Sequence, residues 1–138
     1  MKKILLILVL LVISCSEEDT SPQEESLTKE DLMGTWEITA AKMNGTVLEL
    51  DECFLKQGLN FTSSSLTYIG SYLTNADGTK KCMEYTESHT YTIEGKQIKI
   101  PNSDLGVNYR AVVDTQGDIQ LTTNSGNGNA MIQTFTKR

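Results

Sequence analysis

Cys82-Met83-Glu84-Tyr85-Thr86-Glu87-Ser88-His89-Thr90-Tyr91-Thr92-Ile93 is the stretch that decides the fold. In an extended chain Met83, Tyr85, Glu87, His89, Tyr91 and Ile93 fall on one face, and Cys82, Glu84, Thr86, Ser88, Thr90 and Thr92 on the other. Successive side chains of a strand point to opposite faces, so this alternation marks a β-strand and excludes a helix. The second face is almost wholly Thr, Ser and Glu, as solvent demands, and the tyrosine face is expected to point inward.

The same period of two extends in both directions. Towards the N-terminus, Tyr68 and Tyr72 alternate against Ile69 and Leu73, residues 58–61 are strand-like, and Trp36, Ile38 and Ala40 share one face against Glu37 and Thr39. Asn44-Gly45 predicts a hairpin turn into a strand over 46–50, and Asp77-Gly78 a turn inside a loop over 74–81. Towards the C-terminus, Glu94-Gly95-Lys96 turns the chain into Ile98 and Ile100, and Pro101-Asn102-Ser103-Asp104 breaks it. Val107, Tyr109, Ala111 and Val113 then alternate. Thr115-Gln116-Gly117-Asp118 turns the chain into Ile119 and Leu121, and a glycine- and asparagine-rich loop over 124–129 precedes a last strand over 131–135. Only Thr28-Lys29-Glu30-Asp31 reads as helical, a capping-box start to a short N-terminal turn. Short strands at spacings of about ten residues predict an all-β chain, an antiparallel up-and-down meander closing into a small barrel of about eight strands. No strand-helix alternation supports a doubly wound sheet.

Ahead of this domain the chain changes character. Lys2 and Lys3 precede ten unbroken apolar residues, 4–13, that end at Ser14-Cys15. Ten helical residues span roughly 15 Å, half a hydrocarbon core of roughly 30 Å, so the segment suits a signal peptide and is too short to span a membrane. Val12-Ile13-Ser14-Cys15 resembles the lipobox of bacterial lipoproteins. The resemblance implies cleavage after residue 14, lipidation of Cys15 and attachment to a membrane by that anchor. Residues 16–26 lack any apolar side chain and carry five acids, which makes 15–26 a solvated tether. Ser16-Glu17-Glu18-Asp19 resembles an acidic export tag of Gram-negative lipoproteins, which implies the outer face of the outer membrane. Residues 27–138 form the folded domain.

Composition narrows the functions. A net charge of −6, with basic residues adjacent only in the pairs Lys2-Lys3, Lys80-Lys81 and Lys137-Arg138, argues against nucleic acid. With Cys15 read as the lipidated residue, one histidine and two cysteines remain, too few for a four-ligand Cys/His zinc finger. The chain has no glycine-rich phosphate loop, G-x-S-x-G, H-E-x-x-H or calcium loop, so no catalytic residue, metal or cofactor is expected and the chain reads as no enzyme.

Leu32-Met33-Gly34-Thr35-Trp36, a helical turn running into Gly-x-Trp at the first strand, followed by a β-only meander, resembles the small lipocalin-like domains found on bacterial lipoproteins. The resemblance implies a barrel whose closed end is plugged by Trp36 after Gly34, with Arg138 or Lys137 packing across the indole. An immunoglobulin-like sandwich would place its tryptophan between two cysteines, and Trp36 precedes both Cys53 and Cys82. Export to an oxidising compartment makes Cys53 and Cys82 the expected disulfide.

Tyr85, Glu87, His89 and Tyr91 are the candidate ligand contacts, since the face they share would line the lumen. The alternative is a satisfied polar pair, Glu87 with His89, in or near a packed core. Two function classes follow: a membrane-anchored binding module holding a small apolar or amphipathic ligand, or a structural module whose packed barrel contacts another envelope protein through its outer face or loops. The volume of the lumen discriminates between them.

Overall fold

A computed structural model of the chain describes residues 26–101, 108–124 and 127–138. The expected signal segment, Cys15 and the tether up to residue 25 lie outside the described residues. So do Asn102, Ser103, Asp104, Val107 and residues 125–126.

Thr28 caps the helical turn α1 (Lys29–Leu32) as the sequence predicts. Asp31 N donates to the Thr28 hydroxyl, and the Asp31 carboxylate accepts from Thr28 N at 2.8 Å. The strands that follow are β1 (Gly34–Met43), β2 (Thr46–Val47), β3 (Gly58–Phe61), β4 (Ser65–Ala76), β5 (Thr79–Thr90), β6 (Thr92–Glu94), β7 (Gln97–Lys99), β8 (Asn108–Val113), β9 (Ile119–Asn124) and β10 (Ala130–Lys137). A single 3-10 turn, Phe54–Lys56, precedes β3.

Every pairing is antiparallel, in the order β5-β4-β3-β1-β10-β9-β8-β7-β6, with β2 a spur on β1. The two ends of that order, β5 and β6, are separated in sequence by Tyr91 alone. Such a sheet has to curl until its ends meet. The stretch that reads as one strand over 82–93 is therefore one stave that changes partner, from β4 to β7, at Tyr91. Counting β5 and β6 together turns the nine strands of the path into eight staves. β1 and β10, the first and last of the described strands, pair along their length from Trp36 opposite Lys137 to Met43 opposite Met131.

Three local readings change. The register of β1 against β10 slips between Ile38 and Ala40, a bulge that turns Ala41 inward and leaves Ala40 exposed, so Ala40 does not share the face of Trp36 and Ile38. The expected loop over 74–81 is instead the end of a long hairpin: β4 and β5 pair from Ser65 opposite Thr90 out to Ala76 opposite Thr79. Asp77 and Gly78, with φ of 57° and 74°, make the two-residue turn whose twist suits such a ribbon. After the Asn44-Gly45 turn only Thr46 and Val47 pair, and the chain then leaves the sheet.

β3 pairs only with residues 66–69 of β4, so the β4–β5 hairpin projects beyond it. The segment between β2 and β3 packs against this projection. Cys53 and Cys82 are joined as a disulfide with Cα atoms 5.5 Å apart, Ser71 Oγ donates to Cys53 O, and Lys56 Nζ pairs with Glu84 at 3.0 Å. Closing a 29-residue loop stabilises the fold by about 3.5 kcal/mol on the chain-entropy account.

The core fills one end of the barrel. Leu32, Trp36, Phe61, Tyr91, Ile119 and Phe135 are all buried there. Trp36 is 3% exposed, its Nε1 donates to Leu32 O at 2.8 Å, and its ring meets Phe61 edge-on at 6.4 Å. Gly34 enters β1 at φ 123°, a conformation that side chains with a Cβ rarely adopt. Lys137 Nζ stands 5.6 Å above the Trp36 ring and bonds Asp31 O at 2.7 Å. Arg138 instead pairs with Glu37 at 2.9 Å on the outer surface. The residue across the indole is therefore Lys137 and not Arg138, because position 137 stands opposite Trp36 in the register and so shares its face.

Candidate functional site

The pleat that buries Trp36 and Phe135 at one end brings a different set of side chains inward at the other. Tyr68 from β4, Tyr85 from β5, Tyr109 from β8, Gln133 and Met131 from β10 and Met43 from β1 line a cavity of about 300 Å³. Gln57, just ahead of β3, and Phe54 of the 3-10 turn complete its wall. The volume lies at the lower end of the range of small-molecule sites. A second depression, about 480 Å³, lies beside Ser26, Leu27, Asp31 and Trp36 where the chain joins the closed end. It is larger, but it gathers no cluster of rings and amides. The open-end cavity is the better candidate because aromatic walls and convergent polar groups meet there.

Two buried amides set its floor. Gln57 and Gln133 are 6% and 2% exposed. Gln133 Nε2 donates to Gln57 Oε1 and, at 3.3 Å, to Tyr68 Oη, and the Tyr68 hydroxyl lies 3.4 Å from Gln57 Oε1. Gln57 Nε2 donates to Ser71 O at 3.0 Å. Buried amides are costly unless bonded, and here each one fixes the other.

The rings form a connected wall. Tyr68 and Tyr85 meet edge-on with centroids 6.1 Å apart, and Tyr72 stands 6.2 Å from Tyr85 at the rim. Gly70 lies directly opposite Tyr85, and a Cβ there would fall 2.2 Å from the Tyr85 ring. The ring occupies the space that any other residue would fill. Deeper on β5, the Glu87 carboxylate accepts from Tyr109 Oη at 3.0 Å, and the His89 ring packs 5.6 Å from the Tyr109 ring. His89 Nε2 lies 3.6 Å from Glu87 Oε2 and has no hydrogen-bond partner.

Burial pushes the Tyr68 phenol up to about 12, the charges of Tyr85 and Glu87 add to the rise, and the Gln133 bond opposes it. Tyr109 is raised further, by burial first and then by its bond to Glu87 and the carboxylate's charge. Tyr85 is raised by burial and then by Glu87. The three phenols are thus held in their protonated, neutral form.

The four candidates read from the stretch 82–93 separate along the stave. Tyr85 lines the cavity and is 42% exposed at its mouth. Glu87 and His89 lie on the same inner face behind Tyr109. Tyr91 lies in the closed end, where its hydroxyl donates to Thr62 O at 2.7 Å, its ring meets Phe61 edge-on at 5.3 Å, and Lys29 Nζ stands 5.1 Å above it. Sequence reasoning did not place Tyr68, Tyr109, Gln57 or Gln133 in the site. The alternation of Tyr68 and Tyr109 on their own strands was the available signal for two of them, while a lone glutamine at a strand edge carries none.

A curled antiparallel sheet, plugged by a tryptophan at one end and open to a ring-lined cavity at the other, defines a class of small antiparallel β-barrels. Residues 32–136 match the family of lipocalin-like domains, and the chain belongs to that family. No curated protein and no solved structure matches the chain.

Proposed function

We propose that the chain is a cell-envelope lipoprotein whose barrel binds one small amphipathic molecule at its open end. The observation that carries the binding reading is the cavity of about 300 Å³, with tyrosine and methionine walls over a floor of paired amides. A packed structural barrel would have filled that volume, so the interaction-module alternative has less support. The flat face of a ligand lies against Tyr68, Tyr85 and Tyr109, and its polar end meets the phenols or Gln57 and Gln133. Lys2-Lys3, the apolar run 4–13 and Val12-Ile13-Ser14-Cys15 support lipidation of Cys15. The acidic tether 15–26 supports display from the outer membrane of a Gram-negative cell, with the barrel held clear of the headgroups.

The binding reading is tested by titrating an apolar fluorescent probe against the protein and against Thr123→Phe, which fills the cavity from β9. Binding lost in the variant supports the site; equal binding removes it. The anchor is tested separately by Cys15→Ala, which releases the protein from the membrane fraction if Cys15 carries the lipid.

A further inference from the structure

The electrostatics of the cavity are one-sided. Tyr68, Tyr85 and Tyr109 line it, and no lysine or arginine stands among the lining residues described. The acid nearest the rings is Glu87, which faces inward between Tyr85 and His89, pairs across the ladder with Tyr68 and accepts the Tyr109 hydroxyl at 3.0 Å. Its charge contributes to the raised values of all three phenols, so its negative field reaches each ring of the wall. Lys56, on the segment beside the cavity, is tied to Glu84 on the outer face of β5.

Such a wall attracts cations and repels carboxylates. An aromatic face carries negative quadrupole charge, and a fixed carboxylate behind it adds to the potential. A carboxylate brought into the cavity would lose water with no cationic side chain in the lining to replace it. The amides add a further constraint. Gln57 Oε1 is already engaged by Gln133 and Tyr68, so a primary ammonium would need other acceptors for its three N–H donors. An alkylated ammonium needs none.

We infer that the cavity selects ligands ending in an alkylated ammonium group, seated against Tyr68, Tyr85 and Tyr109 in the field of Glu87, over neutral or carboxylate-bearing molecules of the same shape. The inference rests on the ligand-binding reading above and specifies its ligand class. Thermodynamically the ammonium end contributes through cation–π and charge attraction, while the remainder of the molecule is held by burial.

Three flat phenols of similar size separate the terms: 3-hydroxyphenyltrimethylammonium, its neutral isostere 3-tert-butylphenol, and 3-hydroxybenzoate. Calorimetric titration of the full-length protein in non-ionic detergent is expected to show the ammonium compound binding about tenfold tighter than the isostere, with no measurable binding of the carboxylate. Glu87→Gln brings the ammonium compound to within about threefold of the isostere, whose own affinity stays within about twofold. Tyr85→Leu, at the mouth, weakens the ammonium compound more than the isostere and supplies an independent readout if Glu87→Gln does not fold. Equal binding of ammonium and isostere, or tighter binding of the carboxylate, overturns the charge preference and leaves the ligand-binding reading standing. Failure of all three compounds and of the apolar probe overturns both.

Discussion

The two ends of this barrel are built from the same strands and nearly the same residue types, yet they do opposite work. β5 and its continuation carry Tyr85 to the open end and Tyr91 to the closed one, six residues apart on one face. Tyr91 is buried, its hydroxyl is bonded to Thr62 O, and its ring is wedged against Phe61. Tyr85 is half exposed, lies over a glycine, and has Tyr68 and Tyr72 as its ring neighbours. At the closed end Trp36, Phe61 and Phe135 pack into the buried core, while at the open end Gln57 and Gln133 line the cavity. The residue type supplies a ring; what stands opposite it decides whether the ring supports the fold or waits for a ligand.

The sharpest way to break that contrast is a pair of truncations. Trp36→Ala is expected to cost about 3 to 5 kcal/mol, since it opens a cavity in a filled core and strands the Leu32 carbonyl. Tyr85→Ala, already half exposed, should cost about 1 kcal/mol or less. Denaturant midpoints check both, and equal losses would falsify the division into a structural and a binding end. Next in size is the disulfide. Replacing Cys53 and Cys82 by alanine should lower stability by about 3.5 kcal/mol. It should also loosen the segment that carries Phe54 and Gln57, so probe affinity is expected to fall with stability; an unchanged affinity would detach that segment from the site.

Gln133→Leu removes one member of the amide floor and leaves Gln57 and Tyr68 short of a partner, for an expected loss of about 1 to 3 kcal/mol. Gly70→Ala sharpens the comparison from the other side. Its Cβ must displace the Tyr85 ring, so probe binding should weaken severalfold while the melting temperature moves little, with the Tyr85 ring resonances reporting the shift. The smallest effect is alkaline. Burial raises Tyr68 in the folded state from the ordinary 10.0 to about 12. The unfolded chain therefore loses this proton first, and the contribution is complete below about pH 10 and declines as pH rises towards 12. Denaturation curves between pH 8 and 11.5 should show that decline, and Tyr68→Phe should make it shallower.

Period-two alternation, the Asn44-Gly45 and Asp77-Gly78 turns and the Gly34-Thr35-Trp36 start were enough to read an all-β barrel and its lipocalin-like kinship from the sequence. What escaped has common physical causes. The pleat reports which face a side chain takes but not its height along the barrel, so Tyr85 and Tyr91 read alike although one meets solvent and the other the core. Alternation is also blind to the hydrogen-bond partner, and it runs unbroken through Tyr91 while the stave passes from β4 to β7. Ile38-Thr39-Ala40-Ala41 suits either alanine inward, and only the bulge chooses Ala41. At the C-terminus the guanidinium of Arg138 is the more familiar cover for an indole, but register opposite Trp36 assigns the position to Lys137. Gln57 and Gln133 acquire meaning only from each other, across a long stretch of intervening chain.

The pairing of β1 with β10 governs when this molecule can exist at all. Trp36 finds its ladder partner only at Lys137, so the ring of strands has a latch made from its first stave and its last. A nascent or truncated chain without residues 130–137 has bare edges on β1 and β9, and such edges invite pairing with other chains. Long-range closure of this kind makes folding slow and late, set by topology more than by local propensity. Loss of residues 130–137 should therefore weaken the whole sheet and not one strand of it, because β1 and β9 would each lose a neighbour.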